Sequence, residues 1–218
     1  MSIVGFQNRS KIIGISILLL LCSFIVKADE WKDASSVVGK STQAMVGLLE
    51  EGRLEAIRIS EAEGAVVALD EPQLLLGMEG ILTPVIDFNT IAKGVMAKFY
   101  RKASPKQVKD FRVAFKQSLL NTYSRAVLAF KINDFEIQSN SNSSSKAGRQ
   151  KIWVKVYANG AAYDINYAMK KRQQGWMVTN VTLDGINLGL AFRQQFASAM
   201  AKNKGNMDDV IAFWNDPS

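Results

Sequence analysis

The spacing of hydrophobic residues changes twice along this chain. From residue 29 to about 130, apolar side chains recur every three or four positions, as in "SSVVGKSTQAMVGLLEEG", and this period predicts helices. Over 131–185 apolar and polar residues alternate, which predicts strands. The helical period returns over 186–218. Helices followed by strands and more helices predict an α+β fold, with 29–218 forming one domain.

The clearest helical segment begins at "SPKQ". Ser104 is in the N-cap position, Pro105 is at the first helical position, and Gln107 completes a capping box. Phe111 and Phe115 then continue an apolar stripe with helical spacing. We therefore predict an amphipathic helix that packs against the core.

The strand region contains two tight turns. Asn159-Gly160 separates two alternating segments, and this dipeptide is the strongest short signal for a hairpin. "QQG" at 173–175 predicts the next turn. A first strand near "NDFEIQS" completes the set, so the expected sheet is a curved antiparallel meander of four strands with helices packed on one face.

The first 28 residues have the pattern of a secretory signal peptide. Arg9 and Lys11 precede a run of fifteen apolar residues, and "VKA" places small residues before a cleavage point after Ala28. The run is short for a membrane anchor, which needs about 20 residues. A lipoprotein signal ending at Cys22 is a further alternative, although Leu21 stands where a small residue is expected. We expect an exported domain of residues 29–218, with 1–28 removed.

Charge and residue content limit the chemistry. The chain has no histidine, and its one cysteine, Cys22, lies in the expected signal peptide. Catalysis by histidine or thiolate and nearly all zinc sites are therefore excluded. We expect no metal, no cofactor and no catalytic residue. The basic residues of the strand region could suggest nucleic-acid binding, but export argues against it.

Two sequence blocks resemble the MlaC family of periplasmic phospholipid carriers, also called toluene-tolerance auxiliary proteins. The matching positions of the first block are Phe99-Tyr100, Ser104-Pro105-Lys106-Gln107, Phe111, Phe115, Leu119 and Thr122-Tyr123. Those of the second block are Gly175-Trp176, Val181, Asp184-Gly185-Ile186-Asn187-Leu188 and Phe192-Arg193-Gln194-Gln195-Phe196. Together they span roughly residues 84–214.

This resemblance implies a non-enzymatic function. Such a protein carries phospholipid between an outer-membrane lipoprotein–porin complex and an inner-membrane ABC transporter with a lipid-transfer ring, and so maintains outer-membrane lipid asymmetry. The carrier role requires an apolar cavity between sheet and helices for the acyl chains, with the headgroup left in water. The residues that we expect to line it are Val85, Phe88, Ile91, Val95, Phe99, Val154, Val156, Tyr163, Ile165, Tyr167, Trp176 and Val178. Each of them could equally be ordinary core.

Two other functions are compatible with the sequence. A cavity enzyme for a small apolar substrate could use Asp164 or Asp184 as a general base, which requires a buried carboxylate with a raised pKa. A non-catalytic adaptor of an envelope complex would instead have a solid interior. The size and lining of the cavity distinguish these alternatives from a carrier.

Overall fold

The structure is a computed structural model that describes residues 10–64, 71–129, 132–139 and 146–215. Of the predicted signal peptide, residues 1–9 lie outside this range. Within the described part of the chain, no helix is long and apolar enough to cross a membrane. The polar loop predicted at 140–148 lies mostly outside the described residues.

Over the described residues, six α-helices and five strands form an α+β fold, in the order helices, sheet, helices. The helices are α1 (Ser10–Glu63), α2 (Glu71–Leu82), α3 (Phe88–Met96), α4 (Pro105–Ala129), α5 (Leu188–Lys202) and α6 (Met207–Asn215), with a 3-10 helix at Ala97–Arg101. The strands are β1 (Ile132–Ile137), β2 (Arg149–Ala158), β3 (Ala161–Arg172), β4 (Gly175–Leu183) and β5 (Ile186–Asn187).

The sheet is an antiparallel meander in the order β1-β2-β3-β4-β5, so it has five strands and not four. The additional strand arises at the last turn. Asp184 and Gly185 both have positive φ and reverse the chain tightly, so that Ile186 pairs with Leu183. Asn187 then caps α5, which begins at Leu188. The sequence pattern suggested that the helical segment starts at Ile186.

The turn and cap predictions are confirmed. Asn159 and Gly160 have φ of 51° and 76°, as a two-residue hairpin turn requires, and they join β2 to β3. At the start of α4, the Gln107 backbone N–H donates to Ser104 Oγ at 3.2 Å. The Ser104 N–H donates to Gln107 Oε1 at 3.0 Å, which completes the capping box.

Hydrophobic side chains form two separate clusters. The helix cluster joins α3, α4, α5 and α6 through the buried residues Ala92, Val95, Met96, Phe111, Ala114, Phe115, Phe196, Ala199, Met200, Met207, Val210, Ile211 and Trp214. The sheet cluster joins α1 to one face of the sheet through the buried residues Ala34, Val38, Ile152, Val154, Val156, Met169, Trp176 and Val178. The second cluster surrounds the candidate site.

Candidate functional site: an apolar cavity between α1 and the sheet

A small apolar cavity lies between α1 and the sheet, with a volume of about 70 Å³. Its walls come from α1, from the end of α2 and the link that follows it, and from β3 and β4. The lining residues are Val37, Val38, Ser41, Thr42, Met45, Leu82, Val85, Ile86, Tyr167, Val178 and Val181. No charged side chain is among them, so the cavity can accept hydrocarbon but has no group for acid–base chemistry.

The α1 wall follows from the helical period of its sequence. Val37, Val38, Ser41 and Met45 recur at intervals that place them on one side of the helix. The buried Thr42 bonds within its own helix, since its Oγ1 donates to the Val38 carbonyl at 2.9 Å. The hydroxyl of this buried threonine therefore needs no partner on the sheet.

A short link between α2 and α3 forms the second wall, and backbone hydrogen bonds fix it to β4. The Val178 N–H donates to the Val85 carbonyl at 2.8 Å, and the Asp87 N–H donates to the Val178 carbonyl at 2.9 Å. Ile86 and Val178 thus form a parallel bridge. This places Val85 and Ile86 at the cavity beside Val178.

Asp87 secures the same link through its side chain. Its Oδ1 accepts the Thr90 backbone N–H at 2.9 Å and so caps α3. Its Oδ2 accepts from Arg172 Nε at 2.9 Å and Nη2 at 2.8 Å. Burial by itself would raise the pKa of Asp87, but the hydrogen bonds from Thr90 and Arg172 outweigh it and hold the pKa below its usual value. The carboxylate therefore stays charged and paired at neutral pH.

Tyr167 is the one lining residue with an ionisable group. Removal from water raises the pKa of its hydroxyl to about 12. The residue is neutral near pH 7, and it cannot serve as a base there. Its ring adds apolar surface to the β3 side of the cavity.

The structure brings only part of the predicted site together. Val85, Tyr167 and Val178 line the cavity. The predicted residues that share the sheet cluster without lining the cavity are Val154, Val156, Ile165 and Trp176. Tyr163 is half-buried on β3 and belongs to neither cluster.

The predicted residues of α3 and the 3-10 helix lie elsewhere. Ile91, Val95 and Phe99 pack in the helix cluster, so the expectation that they face the sheet is wrong. The reason is that their apolar stripe packs against α4 and α5, whose phenylalanines form the centre of that cluster. Phe88 is buried beneath Lys116, whose Nζ lies 5.8 Å from the ring centroid.

The lining residues of α1 were missing from the predicted site. Val37, Val38 and Met45 have a visible helical period, but periodicity identifies a buried face without identifying what covers it. The partner of α1 is a sheet more than a hundred residues later in the chain. A long-range contact of this kind has no local signal in one sequence.

The two aspartates proposed as a general base for the enzyme alternative both lie at the surface. Asp164 is exposed, with 58% of its side chain accessible, and it pairs with Lys155 at 3.5 Å. Asp184 is also exposed, and its Oδ1 accepts the Asp164 backbone N–H at 2.8 Å. Neither carboxylate is the buried group that this alternative requires. Among the described residues, no cluster of metal-ligating side chains occurs.

Comparison with known proteins identifies the family. The MlaC protein family model matches residues 56–216. The chain belongs to the MlaC family. A relative of this MlaC-family chain is the toluene tolerance protein ttg2D of Pseudomonas putida, which is 38% identical over 136 residues. The match covers 62% of this chain and 62% of that relative, so it spans less than two thirds of either.

A solved structure shares the MlaC-family fold. The phospholipid-binding protein from Ralstonia solanacearum, determined in complex with a phospholipid, superposes with a TM-score of 0.70. The superposition covers 84% of this chain and 96% of that chain, at 18% sequence identity. This likeness shows the common fold and confirms the expected class, an antiparallel sheet with helices packed against it.

Proposed function

We propose that this protein is a periplasmic phospholipid carrier that needs no catalytic group. The observation that carries the proposal is the uncharged cavity between α1 and the sheet, in a fold that binds phospholipid in the Ralstonia solanacearum protein. Membership of the MlaC family supports it independently. The acyl chains would lie against Val38, Tyr167 and Val178, and the headgroup would stay in water.

The energetics of carrying lipid favour such a site. Burial of apolar groups contributes about 0.8 kcal/mol per CH₂, so two acyl chains contribute on the order of 20 kcal/mol. Apolar surface alone can therefore retain a lipid in water, and specific polar contacts to the chains are unnecessary. This agrees with a lining in which the only polar side chains are Ser41, Thr42 and Tyr167.

The pathway that we propose follows from the family. Export through a cleaved signal peptide at residues 1–28 would bring the chain to the periplasm. There it would exchange phospholipid with an outer-membrane lipoprotein–porin complex and with an inner-membrane ABC transporter that has a lipid-transfer ring. The name of the Pseudomonas putida relative, a toluene tolerance protein, is consistent with a role in the cell envelope.

Native mass spectrometry of protein purified from the periplasm tests the proposal. We expect mass adducts of one phospholipid, identified after extraction, on the wild type. Val38→Trp fills the cavity and should remove most of the adduct, whereas Val113→Trp, on an exposed position of α4, should retain it. Circular dichroism shows whether each variant is folded. Val181→Phe is a second variant, which fills less of the cavity than Val38→Trp does. A wild-type protein without lipid under gentle ionisation contradicts the proposal.

A further inference from the structure

The cavity is much smaller than the lipid that the proposed function requires. Ligand pockets usually have volumes of about 300–1,000 Å³, whereas this cavity has about 70 Å³. An engineered cavity of about 150 Å³ holds only benzene or xenon. Acyl chains therefore do not fit unless one wall of the cavity moves. If the protein carries phospholipid, as proposed above, one of the three walls of the cavity has to move.

Two of the three walls are fixed by directed hydrogen bonds. The sheet is held by its ladder, and the link at Val85–Asp87 is held by backbone bonds to Val178 and by the ion pair between Asp87 and Arg172. Movement of either wall would break several of these bonds. Such movement costs free energy, because each buried polar group that loses its partner is left unsatisfied.

The α1 wall is held differently. As a helix, α1 makes its backbone hydrogen bonds internally, so lifting one end of it affects only the few backbone bonds that span the bend. The hydroxyls of its buried face also bond within the helix, Ser35 to the Lys32 carbonyl and Thr42 to the Val38 carbonyl. The contact of α1 with the sheet is made mainly by apolar side chains such as Ala34 and Val38. A directed bond also ties Glu30 of α1 to the residue before β2, since the Gly148 N–H donates to Glu30 Oε2 at 3.1 Å. Lipid tails can replace the apolar contacts, so lifting α1 costs this bond, whereas movement of either other wall would cost several.

The outer flank of α1 is open. A wide groove of about 500 Å³ runs along this flank beside β1. It is lined by Gly39, Lys40, Gln43, Ala44, Phe135 and Ile137. Between the cavity and the groove, Trp31, Ala34, Val37 and Val38 pack α1 onto the sheet.

A glycine marks the end of the loosely held part of α1. Gly47 lies inside the helix, yet a Cβ built there would meet no atom within 4 Å. Packing therefore does not require glycine at this position, although glycine weakens a helix. The next turn is anchored, because Leu49 is buried and Leu48 fits closely against Gly77 of α2.

From these observations we infer that residues 30–46 of α1 form a lid that lifts from the sheet about a hinge at Gly47 and admits lipid tails to the cavity. With the lid down, its apolar face covers the sheet residues that the tails would contact. In the open state the tails take over its contacts with Tyr167, Val178 and their neighbours. Anchoring beyond Gly47 keeps the lid attached to the body of the protein.

A reversible crosslink tests the lid. A Cβ at Gly39 would lie 3.1 Å from Ile137 Cδ1, so residue 39 contacts the Ile137 side chain of β1. Gly39→Cys with Ile137→Cys is therefore the pair chosen for a disulfide that ties the lid to β1, and loss of both free thiols on oxidation shows that it has formed. The one native cysteine, Cys22, lies in the expected signal peptide, so the exported protein has no other thiol. The delipidated protein is mixed with vesicles of phosphatidylethanolamine and phosphatidylglycerol carrying a tail-labelled fluorescent phospholipid. We expect loading to be at least about tenfold slower in the oxidised form, with dithiothreitol restoring the wild-type rate.

A pair of glycine variants tests the hinge without a crosslink. Gly47→Ala and Gly80→Ala both replace a helical glycine where a Cβ meets nothing within 4 Å, so both stiffen a helix to a similar degree. Only Gly47→Ala should slow loading, by roughly threefold or more. Equal rates for the two variants overturn the hinge, and equal rates for the oxidised and reduced double-cysteine protein overturn the lid. Absence of loading in both wild type and reduced protein overturns the proposed function itself.

Discussion

At the scale of single residues, Asp87 combines two structural roles. Its carboxylate caps α3 through the Thr90 N–H and also pairs with Arg172 at the end of β3. The side chain is only 10% exposed, so solvent screens the ion pair weakly. Because the link that Asp87 stabilises forms a wall of the cavity, this residue supports the site without contacting it.

The prediction for Asp87→Asn separates these two roles. Asparagine is also a good N-cap, so the variant keeps the cap and loses the charge. We expect the free energy of unfolding at pH 7 to fall by about 2–4 kcal/mol, as measured by urea denaturation. Since the pKa of Asp87 is lowered in the folded state, its charge stabilises the fold above pH 3.8 and ceases to do so as pH falls through the folded-state pKa.

The difference between wild type and variant should therefore shrink in strongly acidic solution. An equal difference at pH 7 and well below pH 3.8 would show that the charge is irrelevant. Comparison with Asp87→Ala, which also lacks the cap, should show a further loss of about 1 kcal/mol that persists at both pH values.

At the scale of elements, the sequence predicted the features that depend on hydrogen bonds between residues close together in the chain. The capping box at Ser104 and the hairpin at Asn159-Gly160 are set by residues within a few positions of one another. The start of α5 was placed two residues early, because Asn187 acts as a cap and leaves Ile186 extended. The packing of α1 on the sheet, and of α3 against the other helices, depends on residues far away in sequence.

Asn180 joins β4 to the start of α5 by two hydrogen bonds. Its Nδ2 donates to Asn187 Oδ1 at 3.1 Å, and its Oδ1 accepts the Gly189 backbone N–H at 3.1 Å. Asn187 Oδ1 in turn accepts the Leu190 N–H at 3.0 Å and caps the helix. These bonds set the angle at which α5 leaves the sheet, and hence the relative position of the two hydrophobic clusters.

Gly189 is required where α5 approaches Asn180. A Cβ at Gly189 would collide with Asn180 Oδ1. We predict that Gly189→Ala lowers the free energy of unfolding by about 1–3 kcal/mol. Gly94→Ala is the control, since a Cβ there meets nothing within 4 Å and should leave stability unchanged or slightly increased. Thermal denaturation of the two variants decides this, and a Gly189→Ala protein as stable as wild type would contradict the prediction.

At the scale of the whole molecule, the two clusters have different characters. The helix cluster is centred on the fully buried rings of Phe111, Phe115 and Phe196, which contact one another edge-on or stacked. The sheet cluster is completed by α1, whose buried members Ala34 and Val38 are small, and a cavity remains between the helix and the sheet. We expect the helix cluster to remain rigid when lipid binds. In the sheet cluster, contacts with α1 should be replaced by contacts with the acyl chains.

The sequence could not distinguish these two clusters. Both contain aromatic and branched residues with regular spacing, and the predicted site accordingly mixed residues from each. Val85, Tyr167 and Val178 line the cavity, and their contact with lipid remains a prediction. Ile91, Val95 and Phe99 lie in the helix cluster. In the sequence, their apolar stripe does not reveal whether it packs against a ligand, a sheet or another helix.

The most direct test of the central claim is to locate the tails. The wild-type protein is loaded with a phospholipid that carries a photoactivatable diazirine near the end of one acyl chain, irradiated, digested and mapped by mass spectrometry. The account predicts adducts on peptides of α1 around Val38 and of β3 and β4 around Tyr167 and Val178. Adducts confined to the helix cluster around Phe111 and Phe196, or to the protein surface, would contradict it.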